Sequence, residues 1–178
     1  LADVQGSAGA LEGAIATRRQ LQQRQPQDYD NRVALARLLS EHGQTLQAEQ
    51  ALRAGLRNEE FVLLYQPKVA AADGRLTGFE ALVRWQRPGV GYVSPAEFIP
   101  AAERTGLIGA LGALILDKAC AQVAAWLAAG EVLVPVAVNV SPLQLLDPAF
   151  PALVARSMAL HRVPPHSLTI EITETAAA

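Results

Sequence analysis

One cysteine is all the sequence has, so no disulfide framework can form within the chain. That residue, Cys120, sits in Lys118-Ala119-Cys120-Ala121-Gln122-Val123, a helical pattern in which it reads as a buried residue. An excess of charge is also missing. Fifteen Lys and Arg stand against 17 Asp and Glu, a net charge of −2, which leaves no electrostatic footprint for duplex nucleic acid. Long apolar runs are absent as well. The longest, Leu107 to Leu116, is interrupted by Gly109 and Gly112 and stopped by Asp117-Lys118, too short to span a bilayer. The three histidines, His42, His161 and His166, have no Cys or His partner at metal-ligand spacing. No secretory signal is visible and residue 1 is Leu, not Met. The expectation is therefore a cytoplasmic protein, or the cytoplasmic part of a membrane-bound parent, cut from a longer chain.

What is present is apolar content. Half of the 178 residues are hydrophobic, enough for one domain with a core and a helical lead-in. Residues 1 to about 25 read as a helix that Pro26 ends, and Asp30 to Gly43 as a second helix with a C-terminal glycine. A third opens near Thr45 and carries Leu52 and Leu56. None of these holds a site-like cluster of polar residues, and residues 1–47 read as a helical linker, signalling segment or interaction domain.

From Phe61 the pattern changes to strands. Phe61 to Val69 is a strand by propensity, confined by Pro67 to a place where one ladder donor can be missing, with Gln66 and Lys68 on one face. Asp73-Gly74 is a hairpin turn, so the next strand is antiparallel to the first. That strand, Thr77 to Trp85, puts Phe79, Ala81, Val83 and Trp85 on an apolar face and Glu80, Leu82 and Arg84 on the other. Glu80 and Arg84 can be a solvated pair on an edge strand or part of a buried site; the pattern alone allows both.

A Gly- and Pro-rich loop follows, then Ser94-Pro95-Ala96-Glu97, a capping box in which Glu97 is a cap and not a catalyst. A short helix ends at Thr105-Gly106, and a longer one runs to Gly130. Val132 to Val140 is a strand with Val136, Val138 and Val140 on one face and Ala137 and Asn139 on the other. Ser141-Pro142-Leu143-Gln144 is a second capping box, and Asp147-Pro148 offers a cap before a helix from Phe150 to Leu160. His161 belongs to that helix's C-terminal end, as a dipole or surface residue, and His166 to a turn. Ser167 to Thr173 is the last strand, with Leu168, Ile170 and Ile172 facing a hydrophobic layer and Thr169, Glu171 and Thr173 facing away.

Strand–helix–strand–helix–strand order implies parallel pairing. Strands with one apolar and one small-or-polar face suit a parallel barrel whose C-terminal rim holds a site. Glu80, Asn139 and Glu171 all lie near C-terminal strand ends. Two carboxylates and an amide oxygen make a hard, all-oxygen set suited to Mg²⁺ or Mn²⁺. The alternative is three unrelated buried polar residues, each satisfied by backbone.

These residues resemble a family. Tyr65-Gln66-Pro67, Glu80-Ala81-Leu82-Val83-Arg84-Trp85, Phe98-Ile99-Pro100, Val138-Asn139-Val140-Ser141 with Gln144, and Glu171-Ile172-Thr173-Glu174 look like the motifs of the EAL domain family, in its order, over residues 48–178. The resemblance implies an α/β fold, a modified TIM-type barrel with an antiparallel first strand, of which about the first half is here. It implies Mg²⁺- or Mn²⁺-dependent hydrolysis of cyclic di-GMP to linear pGpG in bacterial second-messenger signalling. By resemblance Glu80, Asn139 and Glu171 are metal ligands, and Gln66, Leu82 and Arg84 bind substrate. Glu174 joins Glu80 and Glu171 in the catalytic set by steadying the loop after the last strand.

A regulatory sensor or GGDEF-type domain in the parent, a homodimer, and no membrane contact from this segment are further expectations. The family's second half supplies an Asp-Asp pair, a lysine, a glutamate and a glutamine that have no counterpart before Ala178, so the chain alone is expected to be inactive. The alternative is a catalytically silent EAL module that serves as a cyclic di-GMP receptor or interaction module.

Overall fold

Two long helices come first in the computed structural model, which describes residues 2–24, 29–131 and 134–172. Helix α1 spans Ala2–Arg24 and α2 spans Tyr29–Arg57. They pack on each other, with Ile15 and Leu35 buried and Arg18 Nη1 donating to Asn31 Oδ1 at 3.2 Å between them. The expected break at Gly43 is absent, and one continuous helix replaces two. Thr45 shows why, since its hydroxyl donates to the Glu41 carbonyl at 3.0 Å, the in-helix bond of a threonine and not a cap. Burial supplies the rest. Leu52 is fully buried in the core, with Ala48, Ala51 and Leu56 against it, so tertiary packing overrides the weak helix propensity of one glycine. Gly55 lets the helix approach closely, because a Cβ there would stand 2.7 Å from Trp85 Nε1.

The strands are β1 (Phe61–Val69), β2 (Leu76–Arg87), β3 (Gly91–Val93), β4 (Val136–Val140) and β5 (Leu168–Ile172). Their order is β1-β2-β4-β5, with β3 paired to β2 beyond the main row. β1 and β2 form the expected antiparallel hairpin, with Gln66 opposite Glu80 and Gly74 at a φ of 70° in the turn. Pro67 costs no ladder bond because, among the described residues, β1 pairs only with β2. β2–β4 and β4–β5 are parallel, with Glu80 opposite Ala137 and Asn139 opposite Glu171. The fold is the α/β barrel type, built here as an open arc of four strands.

Three details differ from expectation. The loop after Trp85 includes β3, formed because Gly89 and Gly91 adopt positive φ and return the chain onto β2. β4 begins at Val136 and not Val132, because Pro135 has no N–H for a ladder and instead accepts from Phe79 N–H through its carbonyl at 2.9 Å. Residues 132 and 133, like Thr173, lie outside the described residues. Ile172 is 62% exposed and covers no apolar layer, because it ends the last described strand.

Helices α3 (Pro95–Arg104) and α4 (Ile108–Ala128) connect β3 to β4, and α5 (Pro142–Leu145) and α6 (Phe150–His161) connect β4 to β5. The apolar run before Asp117 proves to be half of a 21-residue helix, long and apolar enough to cross a membrane by length and composition. Its buried face, Leu111, Leu116, Ala119, Cys120 and Val123, is taken up by the core with Val136, Val138 and Val140. A stacked Phe61–Trp85 pair, 5.1 Å between centroids, closes that core under α2. Trp85 Nε1 also donates to Glu60 Oε2 at 2.9 Å, pinning the C-terminal end of β2.

Candidate active site

Alternation along β2 buries Ala81 and Trp85 in the core and turns half-buried Glu80, Leu82 and Arg84 to the opposite face. The Glu80–Arg84 pair does not form among the described residues. Arg84 Nη1 donates to the Val83 carbonyl at 2.9 Å, and Glu80 meets Asn139 instead. The Asn139 amide Nδ2 donates to Glu80 Oε1 at 2.6 Å. A carboxylate carries no proton to give, so the asparagine must present its NH₂ there, which leaves its carbonyl oxygen free as an acceptor. Glu171 sits directly opposite Asn139 on the neighbouring strand. Three oxygen-bearing side chains on three neighbouring strands therefore lie close together, Asn139 and Glu171 next to the C-terminal ends of β4 and β5. Glu80 departs from the strand-end position expected of it and lies in the first half of β2, because β2 runs on past its ladder with β4 to pair with β3.

Other residues complete the surroundings. Gln66 is exposed beside Glu80 across the hairpin. Lys68 Nζ forms an ion pair with Glu171 Oε1, reaching from β1 to β5 across two intervening strands. A cavity of about 160 Å³ opens beside the strand ends, lined by Leu82, Arg84, Asn139, Ile99, Ser141 and Gln144 among others. Three of the sequence-predicted residues thus line one cavity, while Gln66, Glu80 and Glu171 stand outside its lining. Glu174 lies outside the described residues.

The floor of that cavity is held by a polar network with one member that sequence reasoning missed. Ser141 caps α5 in a full capping box with Gln144. Its hydroxyl also donates to Glu103 Oε1 on α3 at 2.6 Å. Glu103 carried no pattern in the sequence, since its partner is 38 residues away. The first box is only half made: Ser94 Oγ accepts from Ala96 N–H, and Glu97 contributes its charge to the first turn of α3. His161 is more than a dipole residue, because its Nε2 lies 2.8 Å from Asp117 Oδ1 and ties α6 to α4. Lys68 was placed on the face of Gln66 by alternation, but its reach to Glu171 depends on the curl of the sheet.

Among the described residues two groups are strongly perturbed, neither in the site. Burial pushes the Tyr65 hydroxyl up to about 12 and the Cys120 thiol up to about 11, with smaller contributions from Cys120 and Asp117 respectively.

The described residues hold no group of three or more His, Cys, Asp or Glu side chains placed for a metal. Any cation here depends on the Asn139 oxygen as third donor beside Glu80 and Glu171. That all-oxygen set fits a hard divalent cation and not zinc.

A model of the EAL domain family matches residues 49–178. The chain belongs to the EAL domain family. An uncharacterised signalling protein of Caulobacter vibrioides is 48% identical to it over 125 residues, 70% of this chain and 15% of that protein. The bifunctional diguanylate cyclase/cyclic di-GMP phosphodiesterase MucR of Pseudomonas aeruginosa is 41% identical over 132 residues, 74% of this chain and 19% of that protein. A solved structure of the MucR phosphodiesterase in complex with cyclic di-GMP has a TM-score of 0.69 at 40% identity, covering 74% of this chain and 53% of that one. This EAL chain therefore spans about half of the solved phosphodiesterase chain and under a fifth of the two curated relatives. Every candidate site residue from Gln66 to Glu171 falls inside the family match.

Proposed function

We propose that the protein carrying this chain hydrolyses cyclic di-GMP to linear pGpG with Mg²⁺ or Mn²⁺. The observation that carries the reading is the Asn139–Glu80 contact beside Glu171, which leaves the second oxygen of each carboxylate and the Asn139 amide oxygen to meet a cation on three neighbouring strands. The MucR complex supports cyclic di-GMP as the ligand. Glu80, Asn139 and Glu171 would hold the cation, which supplies positive charge against the phosphodiester and a lowered pKa for the attacking water.

The chain's own residues do the rest. Arg84 uses one guanidinium N–H on the Val83 carbonyl and keeps the others for a planar, bidentate grip on a phosphate. Leu82 packs against a base from the cavity wall, and Gln66 offers an amide to the nucleotide. The resemblance assigns Glu174, outside the described residues, a supporting role in the catalytic set. We read residues 1–47 as a helical linker or signalling segment and 48–178 as the N-terminal portion of the EAL domain, in a cytoplasmic part of the parent. The bifunctional name of MucR supports a GGDEF-type partner domain, and a homodimer fits the same reading.

The test is cyclic di-GMP turnover by the full-length parent with each metal, beside a binding measurement. Turnover is expected. A folded protein that binds cyclic di-GMP without hydrolysing it would replace the enzyme reading with a receptor, and one that neither binds nor hydrolyses would end both.

A further inference from the structure

Lys68 and Glu171 stand 103 residues apart in sequence, on the first and last strands of the described row. Neighbouring strands are spaced about 4.8 Å apart, so a flat sheet would separate these strands by roughly 14 Å. The curl of the sheet and the full length of both side chains bring the ammonium to the carboxylate. The stem of Lys68 passes over Gly78, its register partner on β2. A Cβ at Gly78 would already stand 3.9 Å from Lys68 Cδ, so a larger side chain there would compete for the stem's path.

The pair is 41% and 37% exposed, and an ion pair that open to water contributes little to stability. Its location matters more than its strength, because it engages one oxygen of Glu171 beside Asn139 and Glu80.

We propose that Lys68 is a positioning residue that acts as a resident counter-charge for Glu171, and so weakens and tunes the site's affinity for its divalent cation. This rests on the reading of Glu80, Asn139 and Glu171 as cation ligands. Without a cation, two carboxylates gathered on either side of Asn139 repel each other, and the ammonium offsets part of that repulsion. An incoming divalent cation either takes the oxygen that Lys68 holds or uses the second oxygen of the same carboxylate, and in both cases it meets a like charge close by. Lysine suits the role because its ammonium is a compact charge on a flexible stem, able to withdraw without breaking a planar fork.

The test is Mn²⁺ titration of the nucleotide-free full-length parent, followed by electron paramagnetic resonance. Lys68→Met keeps the stem and removes the charge, and is expected to tighten Mn²⁺ binding roughly tenfold or more. Lys68→Arg keeps the charge and is expected to stay near the wild-type affinity. Glu171→Gln and Glu80→Gln are expected to abolish or greatly weaken binding. Unchanged or weaker binding in Lys68→Met, with both glutamate variants impaired, overturns the role of Lys68 and leaves the cation site standing. Wild-type affinity in both glutamate variants overturns the cation site, and this proposal with it.

Discussion

The Gln144 carboxamide occupies the space that a side chain at Gly112 would need, and a Cβ there would stand 1.8 Å from Gln144 Nε2. This contact lets α4 press against the cap of α5 while Gln144 Oε1 accepts from Ser141 N–H at 3.1 Å. The glycine that looked like an interruption of an apolar run is thus a packing requirement.

Gly112→Ala is expected to destabilise the protein by about 2–4 kcal/mol, combining overpacking with loss of the Gln144 half of the cap. Gly109, on the same helix, has nothing within 4 Å of its would-be Cβ. Gly109→Ala should therefore be neutral, or stabilising by up to about 1 kcal/mol through helix propensity. Urea unfolding of the two variants checks the contrast, and equal effects would contradict it.

Glu80→Gln should lower metal-dependent turnover by about two or more orders of magnitude. Stability in metal-free buffer should change little, because the new carboxamide oxygen can still accept from Asn139, and no Arg84 pair is lost. A large fall in melting temperature without metal would point to a structural role for Glu80 instead.

Ser141→Ala removes both the bond to Glu103 and the cap on Leu143 N–H. It should cost roughly 1–3 kcal/mol, since a half-buried carboxylate loses its donor. Because Ser141 follows Asn139 by two residues, divalent-cation affinity should fall as well. Glu103→Gln should cost less, as its amide can still meet the hydroxyl. Denaturant midpoints and Mn²⁺ titration report the two effects separately.

Alkaline pH should unfold the protein earlier than its surface would suggest. Cys120 rises from 9.0 to about 11 and Tyr65 from 10.0 to about 12 on folding. Each group is held neutral in the folded state, so its stability contribution is complete below the unfolded value and is lost as pH rises through the folded one. Stability should be insensitive to these groups up to about pH 9 and decline between about pH 9 and 12. Cys120→Ala should flatten the lower part of that decline. Melting temperatures across the range test it, and a curve unchanged by the substitution would contradict the assignment to Cys120.

The short-range parts of this protein were written in its sequence. Alternation along Thr77–Trp85 put Glu80, Leu82 and Arg84 on one face, and the same period of two placed Asn139 and Glu171. Asp73-Gly74 specified the hairpin, and Ser141 with Gln144 specified a cap, because turns and caps are closed by groups two to four residues apart. The family motifs were legible for the same reason: each is a few adjacent residues.

What the tertiary structure decided depends on distant surfaces meeting. α2 runs through Gly43 because Leu52 is buried against strands formed later in the chain. Glu80 partners Asn139, 59 residues away, and not Arg84 on its own strand. The joins of Glu103 to Ser141, Gly112 to Gln144 and Lys68 to Glu171 depend on how tightly the sheet curls and how deeply α4 settles on it. No local pattern carries that information, since curl and depth are set by the packing of the whole core.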